Sequence, residues 1–373
     1  MNADQYLEYM FYRAGAEHVP LSGTFELTCR CNFDCRMCYI HRSSFDREAL
    51  RGELTAEQWI RLTDAAAARG MLTLLLTGGE PLIRPDFREI YQHCREQGIL
   101  VSINSNASLI TEQDVAFFAQ NPPRRLNITL YGNSRETYAK LCGNPDAYDQ
   151  VTRSVTALHA AGVPMKLNVS VTQYNLHELR EMLRFAKSLE IPVQAASYMF
   201  PPLRAQEHSA CAADRLTPED AAEAQMIYDS FRLSREAFAE RREALLRGEH
   251  YVDPDEECLD QPTEHIRCRA GHTCFWVTWD GQMRPCGMMQ TPTVPLGGGF
   301  DAAWQQIQSA TRQIVIPAKC TECALRNLCG ACPAASYAET GGYSGVPEYL
   351  CRKTNAYLKL LQDYDPGMWE DEP

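Results

Sequence analysis

The chain has 373 residues, of which 48 are acidic and 36 basic, for a formal net charge of -12. That balance excludes a general nucleic-acid or anionic-membrane surface, because a polyanion is repelled where no localised basic patch stands out. No basic segment followed by an apolar run opens the sequence, and no stretch of about twenty apolar residues occurs, so the reading is a cytoplasmic protein with neither nucleic acid nor membrane as partner. Sixteen cysteines in a reducing compartment then call for metal ligation rather than disulfides.

From residue 23 to about 200, short apolar runs alternate with amphipathic stretches, the pattern of repeated βα units around a parallel sheet. The strand candidates are GTFELT (23–28), LTLLL (72–76), ILVSI (99–103), RLNITL (125–130), KLNVSV (166–171) and IPVQAAS (191–197). Helical segments lie between them, such as TAEQWIRLTDAAAARG, where Thr55 caps the start and Gly70 the end. Right-handed crossovers curl six such units into a partial (β/α)6 TIM-like barrel, with functional loops at the C-terminal ends of the strands. The division read along the chain is 1–203 for the barrel, 204–257 for a helical linker or lid with Thr217 as N-cap and Pro218 behind it, and 258–373 for a small, irregular cysteine-rich domain held by metal rather than by a large core.

The first strand leads into RCNFDCRMCY, in which Cys31, Cys35 and Cys38 form CxxxCxxC. Zinc could be completed here by Cys29 or His41. Three thiolates on one loop also suit a cubane [4Fe-4S] cluster that leaves one iron open. TGGEP (77–81) follows the second strand, and its glycines admit a ligand close to the backbone, while Glu80 and exposed carbonyls accept hydrogen bonds from an ammonium group. Farther on come NSN (104–106) and TLYG (129–132), each at a strand end.

The CxxxCxxC loop ending in Tyr39, together with GGEP at the next strand end, resembles the radical S-adenosylmethionine (SAM) superfamily. The resemblance implies a [4Fe-4S] cluster on Cys31, Cys35 and Cys38, with Tyr39, Gly78, Gly79, Glu80, Pro81, Asn104 and Thr129 lining a SAM pocket. It further implies reductive cleavage of SAM to a 5'-deoxyadenosyl radical, with an external one-electron reductant such as flavodoxin or ferredoxin.

In the last third, FWVTWDGQMRPC reads as a hairpin turning at Asp280-Gly281, and eight cysteines surround or follow it. Eight thiolates match two cubane clusters or two zinc ions. Their order resembles the SPASM extension of radical SAM enzymes that mature peptides. Carried over, Cys268, Cys274, Cys286 and Cys332 hold one auxiliary [4Fe-4S] cluster, and Cys320, Cys323, Cys329 and Cys351 hold the other, three clusters in all. The family commonly has three residues between the positions matching Cys329 and Cys332, where this chain has two. Cys29, Cys94, Cys142, Cys211 and Cys258 read as ordinary small hydrophobes or exposed thiols.

The implied activity is oxidative crosslinking or dehydrogenation of a ribosomally made peptide. The roughly 23 residues before the first strand are too few for a winged-helix leader-recognition domain, so a leader would bind elsewhere or through a separate protein. The same chemistry on a small molecule, such as a sugar, an amino acid or a tetrapyrrole precursor, is a second reading, and a non-catalytic metal-bound electron-transfer scaffold a third. The layout also resembles the anaerobic sulfatase-maturing enzymes, which generate formylglycine. Those place an Asp after the cysteine matching Cys286, where this chain has Gly287. The sequence names no catalytic base; Asp280, Glu257, Tyr198 and His272 lie in plausible loops.

Overall fold

The computed structural model describes residues 3–40, 42–201, 214–249, 266 and 268–365. Cys211, Glu257, Cys258 and His41 lie outside them.

All six expected strands form: β1 (Ser22–Glu26), β2 (Thr73–Thr77), β3 (Leu100–Ser105), β4 (Arg125–Leu130), β5 (Met165–Ser170) and β6 (Val193–Ala196). Each pairs in parallel with the next. Helices α2 (Ala56–Ala68), α3 (Phe87–Glu96), α4 (Glu112–Gln120), α5 (Arg135–Cys142), α6 (Ala147–Ala160) and α7 (Leu179–Ser188) fill the crossovers; α1 (Ala3–Glu17) precedes β1. Thr55 caps α2 in a reciprocal capping box with Gln58, and Gly70 takes the left-handed conformation after it, at φ +95°.

The strands explain where the core sits. On β4, Leu126, Ile128 and Leu130 are buried towards the helices, whereas Asn127 and Thr129 alternate to the opposite face and are half-buried. Cross-strand bonds follow that inner face: Asn127 Nδ2 donates to Asn104 Oδ1 at 2.8 Å, and Lys166 Nζ to Gln194 Oε1 at 2.6 Å. The apolar core therefore lies between sheet and helices, around pairs such as Phe25 and Trp59 at 4.9 Å, and the lumen is polar.

The hairpin of the cysteine-rich stretch belongs to the same sheet. Strand β7 (Cys274–Val277) pairs in parallel with β1, Ser22 opposite Cys274, then β8 (Gln282–Arg284) turns back antiparallel and β9 (Val294–Pro295) forms the edge. The resulting order is β9-β8-β7-β1-β2-β3-β4-β5-β6. Gly23 permits the junction, since a Cβ there would stand 2.7 Å from both Met71 Sδ and the Phe275 ring. Phe275 in turn packs on Phe300 of α10 (Phe300–Thr311) at 5.1 Å.

The 217–247 segment is two helices. α8 (Pro218–Arg232) starts at Thr217, whose side chain accepts from Asp220 N, and breaks at extended Leu233; Ser234 then caps α9 (Arg235–Leu246). α11 (Pro333–Thr340) and α12 (Glu348–Asp363) complete the described chain. None of the described helices is long and apolar enough to cross a membrane.

Trp59 is fully buried at the centre of this core. Trp59→Ala should cost about 3–5 kcal/mol of stability, read from the shift in a denaturant unfolding curve.

Candidate active site

The chain leaves β1 and lays its backbone against the segment leaving β2. Gly79 N donates to Thr28 O at 2.7 Å, and Glu80 N to Arg30 O at 3.0 Å. This approach explains both glycines: a Cβ on Gly78 would stand 2.3 Å from Thr28 O, and one on Gly79 would stand 2.3 Å from Arg30 O. Gly78 also sits at φ +153°. Below the contact, Arg30 and Arg84 converge on buried Glu53, with Arg30 Nε at 2.7 Å and Arg84 Nη1 at 3.3 Å.

Glu80 is fully buried and braced on three sides. Its Oε1 accepts from Leu82 N and Ser105 Oγ, both at 3.0 Å, and its Oε2 from Asn106 N at 2.7 Å. Burial pushes its carboxyl up to about 7 against the pull of those three donors. The side chain thus ties the GGEP segment to the end of β3, and Pro81 starts the 3-10 turn that it caps.

The cysteine loop is held from several directions. Asp34 N and Arg36 N donate to Cys142 O (3.1 Å) and Leu141 O (3.0 Å) at the end of α5. Arg36 meets Asp214 at 2.8 Å. Cys31 Sγ accepts from Phe33 N at 3.4 Å and from Asn106 Nδ2 at 3.7 Å. Burial first, then Cys35, Glu80 and Cys38, push the Cys31 thiol up, so the three loop thiols gather. Cys35 is raised chiefly by a hydrogen bond with Cys142, then by burial. Cys142, read from sequence as an ordinary small hydrophobe, therefore packs directly on the loop.

The downstream cysteines gather in two groups. Burial pushes Cys286 up to about 11, with Cys268 and Cys332 adding to it, and Cys274 likewise, with Cys268 nearby. Cys320 is raised by burial and then by Cys351, Cys329 and Cys323. A cavity of about 180 Å³ lies among Cys320, Cys323, Cys329 and Cys351 and reaches Cys268 and Cys332. Cys332 caps α11, accepting from Ala335 N at 3.4 Å. A single tetrahedral ion draws thiolates to about 2.3 Å; among the described residues no three His, Cys, Asp or Glu close on one such position.

Tyr39, Asn104 and Thr129 are half-buried, the last two on the lumen face. Sequence reasoning missed Asn106, which bonds both Cys31 and Asn32 Oδ1, although it stands in the NSN motif. It also missed the Arg36–Asp214 pair, whose partners lie 178 residues apart with no local signal.

The floor of the lumen carries a further pair. Trp276 Nε1 donates to Glu26 at 3.1 Å, and Glu26 is fully buried. A Cβ on Gly287 would come within 2.8 Å of the Trp276 ring, so the indole occupies the space a side chain at 287 would need.

An open parallel α/β barrel with a cysteine loop at the end of its first strand defines the class of the fold and of the site. Residues 25–186 match the sequence profile of the Radical SAM superfamily. The chain carries a Radical SAM domain over those residues and is an enzyme; proteins with that domain bind a [4Fe-4S] cluster and SAM. An AdoMet-dependent heme synthase of Methanosarcina barkeri is 27% identical over 347 residues, spanning 87% of this chain and 95% of that protein. The antilisterial bacteriocin subtilosin biosynthesis protein AlbA of Bacillus subtilis is 24% identical over 294 residues, 78% of this chain and 59% of its own length. Among solved structures, native anSMEcpe with bound AdoMet and Cp18Cys peptide superposes with a TM-score of 0.68 at 17% identity, covering 91% of this chain and 96% of that one, a likeness of fold.

Because the atom opposing a Cβ on Gly79 is a backbone carbonyl, Gly79→Ala should destabilise the protein by about 1–3 kcal/mol. Anaerobic reconstitution of the variant should also leave fewer irons per chain than the wild type holds; equal stability and equal iron would show that the approach tolerates a methyl group.

Proposed function

We propose that the protein is a radical SAM/SPASM enzyme that oxidatively modifies a ribosomally made peptide by crosslinking or dehydrogenation. Cys31, Cys35 and Cys38 would hold the SAM-binding cluster; Cys268, Cys274, Cys286 and Cys332 a first auxiliary [4Fe-4S] cluster; Cys320, Cys323, Cys329 and Cys351 a second. The residues fit such groups: a cavity of about 180 Å³ lies among Cys320, Cys323, Cys329 and Cys351, and Cys31 and Cys332 accept backbone N–H donors of the kind that stabilise thiolates. When bound, cluster and SAM supply one-electron, hydrogen-abstracting chemistry.

The observation that supports the oxidative reading is that cysteines stand at both ends of β1. Cys31 follows the C-terminal end of β1, whereas Cys274 stands opposite Ser22 at its start. A substrate in the lumen would lie between the two. Tyr39, Gly78, Gly79, Pro81, Asn104 and Thr129 would line the SAM pocket. Since both Glu80 oxygens are engaged, the ammonium of SAM would be met chiefly by backbone carbonyls of the GGEP segment. Glu26, buried beside Trp276, would take the proton that the substrate sheds at Glu26 Oε1 or Oε2.

The peptide reading is supported by amide side chains on the lumen face, Asn104, Asn127, Asn168 and Gln194, which match peptide groups donor for acceptor. Asn127 Oδ1 is buried without a partner, as an acceptor awaiting an N–H would be. The subtilosin biosynthesis relative and the peptide bound to anSMEcpe agree with it. A separate leader-binding protein and a flavodoxin- or ferredoxin-type reductant would complete the system. A second reading, a tetrapyrrole precursor as substrate, is favoured by the near full-length match to a heme synthase and by Arg125 and Lys166 on the lumen face, which could pair with carboxylates. Formylglycine generation is disfavoured by the Trp276 ring over Gly287.

Reconstituted protein incubated anaerobically with SAM and dithionite should yield 5'-deoxyadenosine, and the C31A/C35A/C38A variant none. Candidate peptides should lose about two hydrogens by mass. Appearance of a haem absorption spectrum from tetrapyrrole precursors, with peptides unchanged, would transfer the assignment to the second reading.

Glu26→Gln should still cleave SAM while product formation falls by about 10²-fold or more, the usual share of a positioned proton acceptor. Parallel loss of 5'-deoxyadenosine would instead place Glu26 in SAM binding.

A further inference from the structure

Adjacent residues Asp214 and Arg215 reach in opposite directions. Asp214 is buried and takes Arg36 of the first cysteine loop in a two-pronged contact, Nε to Oδ2 at 2.8 Å and Nη2 to Oδ1 at 3.3 Å. The same carboxylate accepts from Tyr174 Oη at 2.7 Å, and the Arg36 guanidinium stacks over the Tyr174 ring at 5.0 Å. Arg215 grips Glu339 of α11 with Nη1 to Oε1 at 2.5 Å and Nη2 to Oε2 at 3.3 Å. Tyr198, just past β6, donates to the same Oε1 at 2.8 Å. Arg215 also lies over the ring of Tyr349 on α12 at 4.1 Å, and Tyr349 Oη donates back to Leu216 O at 2.9 Å.

The elements at the far end are those that carry cysteines. α11 begins at Cys332, and α12 holds Cys351. Three consecutive residues thus touch the CxxxCxxC loop on one side and, on the other, the helix that Cys332 caps and the helix that carries Cys351. Paired arginine–carboxylate forks fix orientation as well as distance, which a single contact does not. Partial burial shields the Arg215–Glu339 fork from solvent, with side chains 19% and 13% exposed, whereas in the other fork Asp214 is buried and Arg36 is exposed.

We infer that Asp214-Arg215 is a strut that sets the position of the SAM-cluster loop relative to the auxiliary cysteines, so that disturbance at one end is felt at the other. The strut goes beyond the proposed activity; its geometry needs no ligand, and only the spectroscopic arm of its test rests on that reading. Asp214, Arg215 and Glu339 are positioning residues, acting through Arg36 and Cys332.

The test is hydrogen exchange by mass spectrometry on the full-length chain, comparing wild type, D214N, E339Q and the double variant. E339Q should accelerate exchange in residues 30–39 by roughly five-fold, and D214N should do the same in 333–340, as expected of a coupling at the low end of the usual range. The double variant should exchange in each region no faster than the faster single variant, because either cut opens the same strut. R215K, which keeps the charge and loses the fork, should reproduce E339Q and serves in place of D214N if that variant does not fold. Exchange in 30–39 unchanged by both E339Q and R215K, or single effects that multiply in the double variant, would overturn the strut. A wild type that neither binds SAM nor forms 5'-deoxyadenosine would overturn the functional reading alone, since the exchange measurement needs no cofactor. In reconstituted protein, E339Q should also alter the line shape of the reduced SAM-bound cluster in electron paramagnetic resonance, a signature that simple loss of stability does not produce.

Discussion

The approach of two backbones, Thr28–Arg30 against Gly78–Glu80, is the contact on which the site depends. It brings the end of the first strand and the end of the second into van der Waals range, closer than any side chain at 78 or 79 would allow. The cysteine loop begins one residue after it, and Glu80 passes the constraint on to Ser105 and Asn106 at the end of β3. Asn106 then returns to Cys31, closing a circuit of short polar contacts around the first sulfur. Buried polar networks of this kind are costly when incomplete and fix a single arrangement when every member is satisfied. Here Glu80 accepts three donors and ties the segment leaving β2 to the end of β3.

The barrel around this circuit is organised by strand alternation. One face of each strand supplies Leu, Ile and Val to the helices, which secures stability independently of any ligand; the other supplies Asn, Thr, Ser, Lys and Gln to the lumen, where they bond one another across strands. The joining of β7 to β1 extends that sheet by a strand whose start carries Cys274 and whose lumen face carries Trp276. The cysteine-rich segment is therefore positioned by sheet hydrogen bonds as well as by whatever its thiols bind. Its location relative to the first loop is set along β1, the strand that both share.

Strand positions, the capped α2 and the hairpin were legible because each has a local cause: alternation with period two, a Thr three residues before a Gln, an Asp-Gly turn. The GGEP segment was legible through its glycines, although the glycines turn out to serve backbone-to-backbone approach to Thr28 and Arg30. What sequence did not disclose is carried by contacts between distant residues. Nothing near Asp214 announces Arg36, and nothing in PCGMM announces that Gly287 lies under the indole of Trp276. The same holds for Cys142, whose contact with Cys35 depends on where α5 ends. The break at Leu233 was missed for a different reason, since a charged, alanine-rich stretch reads as continuous helix until Ser234 is recognised as a second N-cap.

The Trp276–Glu26 pair bears on how one scaffold can host different oxidations. A carboxylate on the residue after Cys286 would approach the lumen from the β8 side; with glycine there, the indole fills that space and the buried carboxylate comes from β1 instead. Glu26 lies five positions before Cys31 on the same strand-and-loop segment, so its height in the lumen is set by the backbone that also places the cysteine loop. In the proposed reaction, a proton acceptor on this element would be placed by the backbone of the cysteine loop, whereas one beside Cys286 would be placed with the auxiliary region. An acceptor fixed to β1 would still be tied to the downstream cysteines through one link, the Trp276 indole on β7, whose strand begins at Cys274 and pairs with β1.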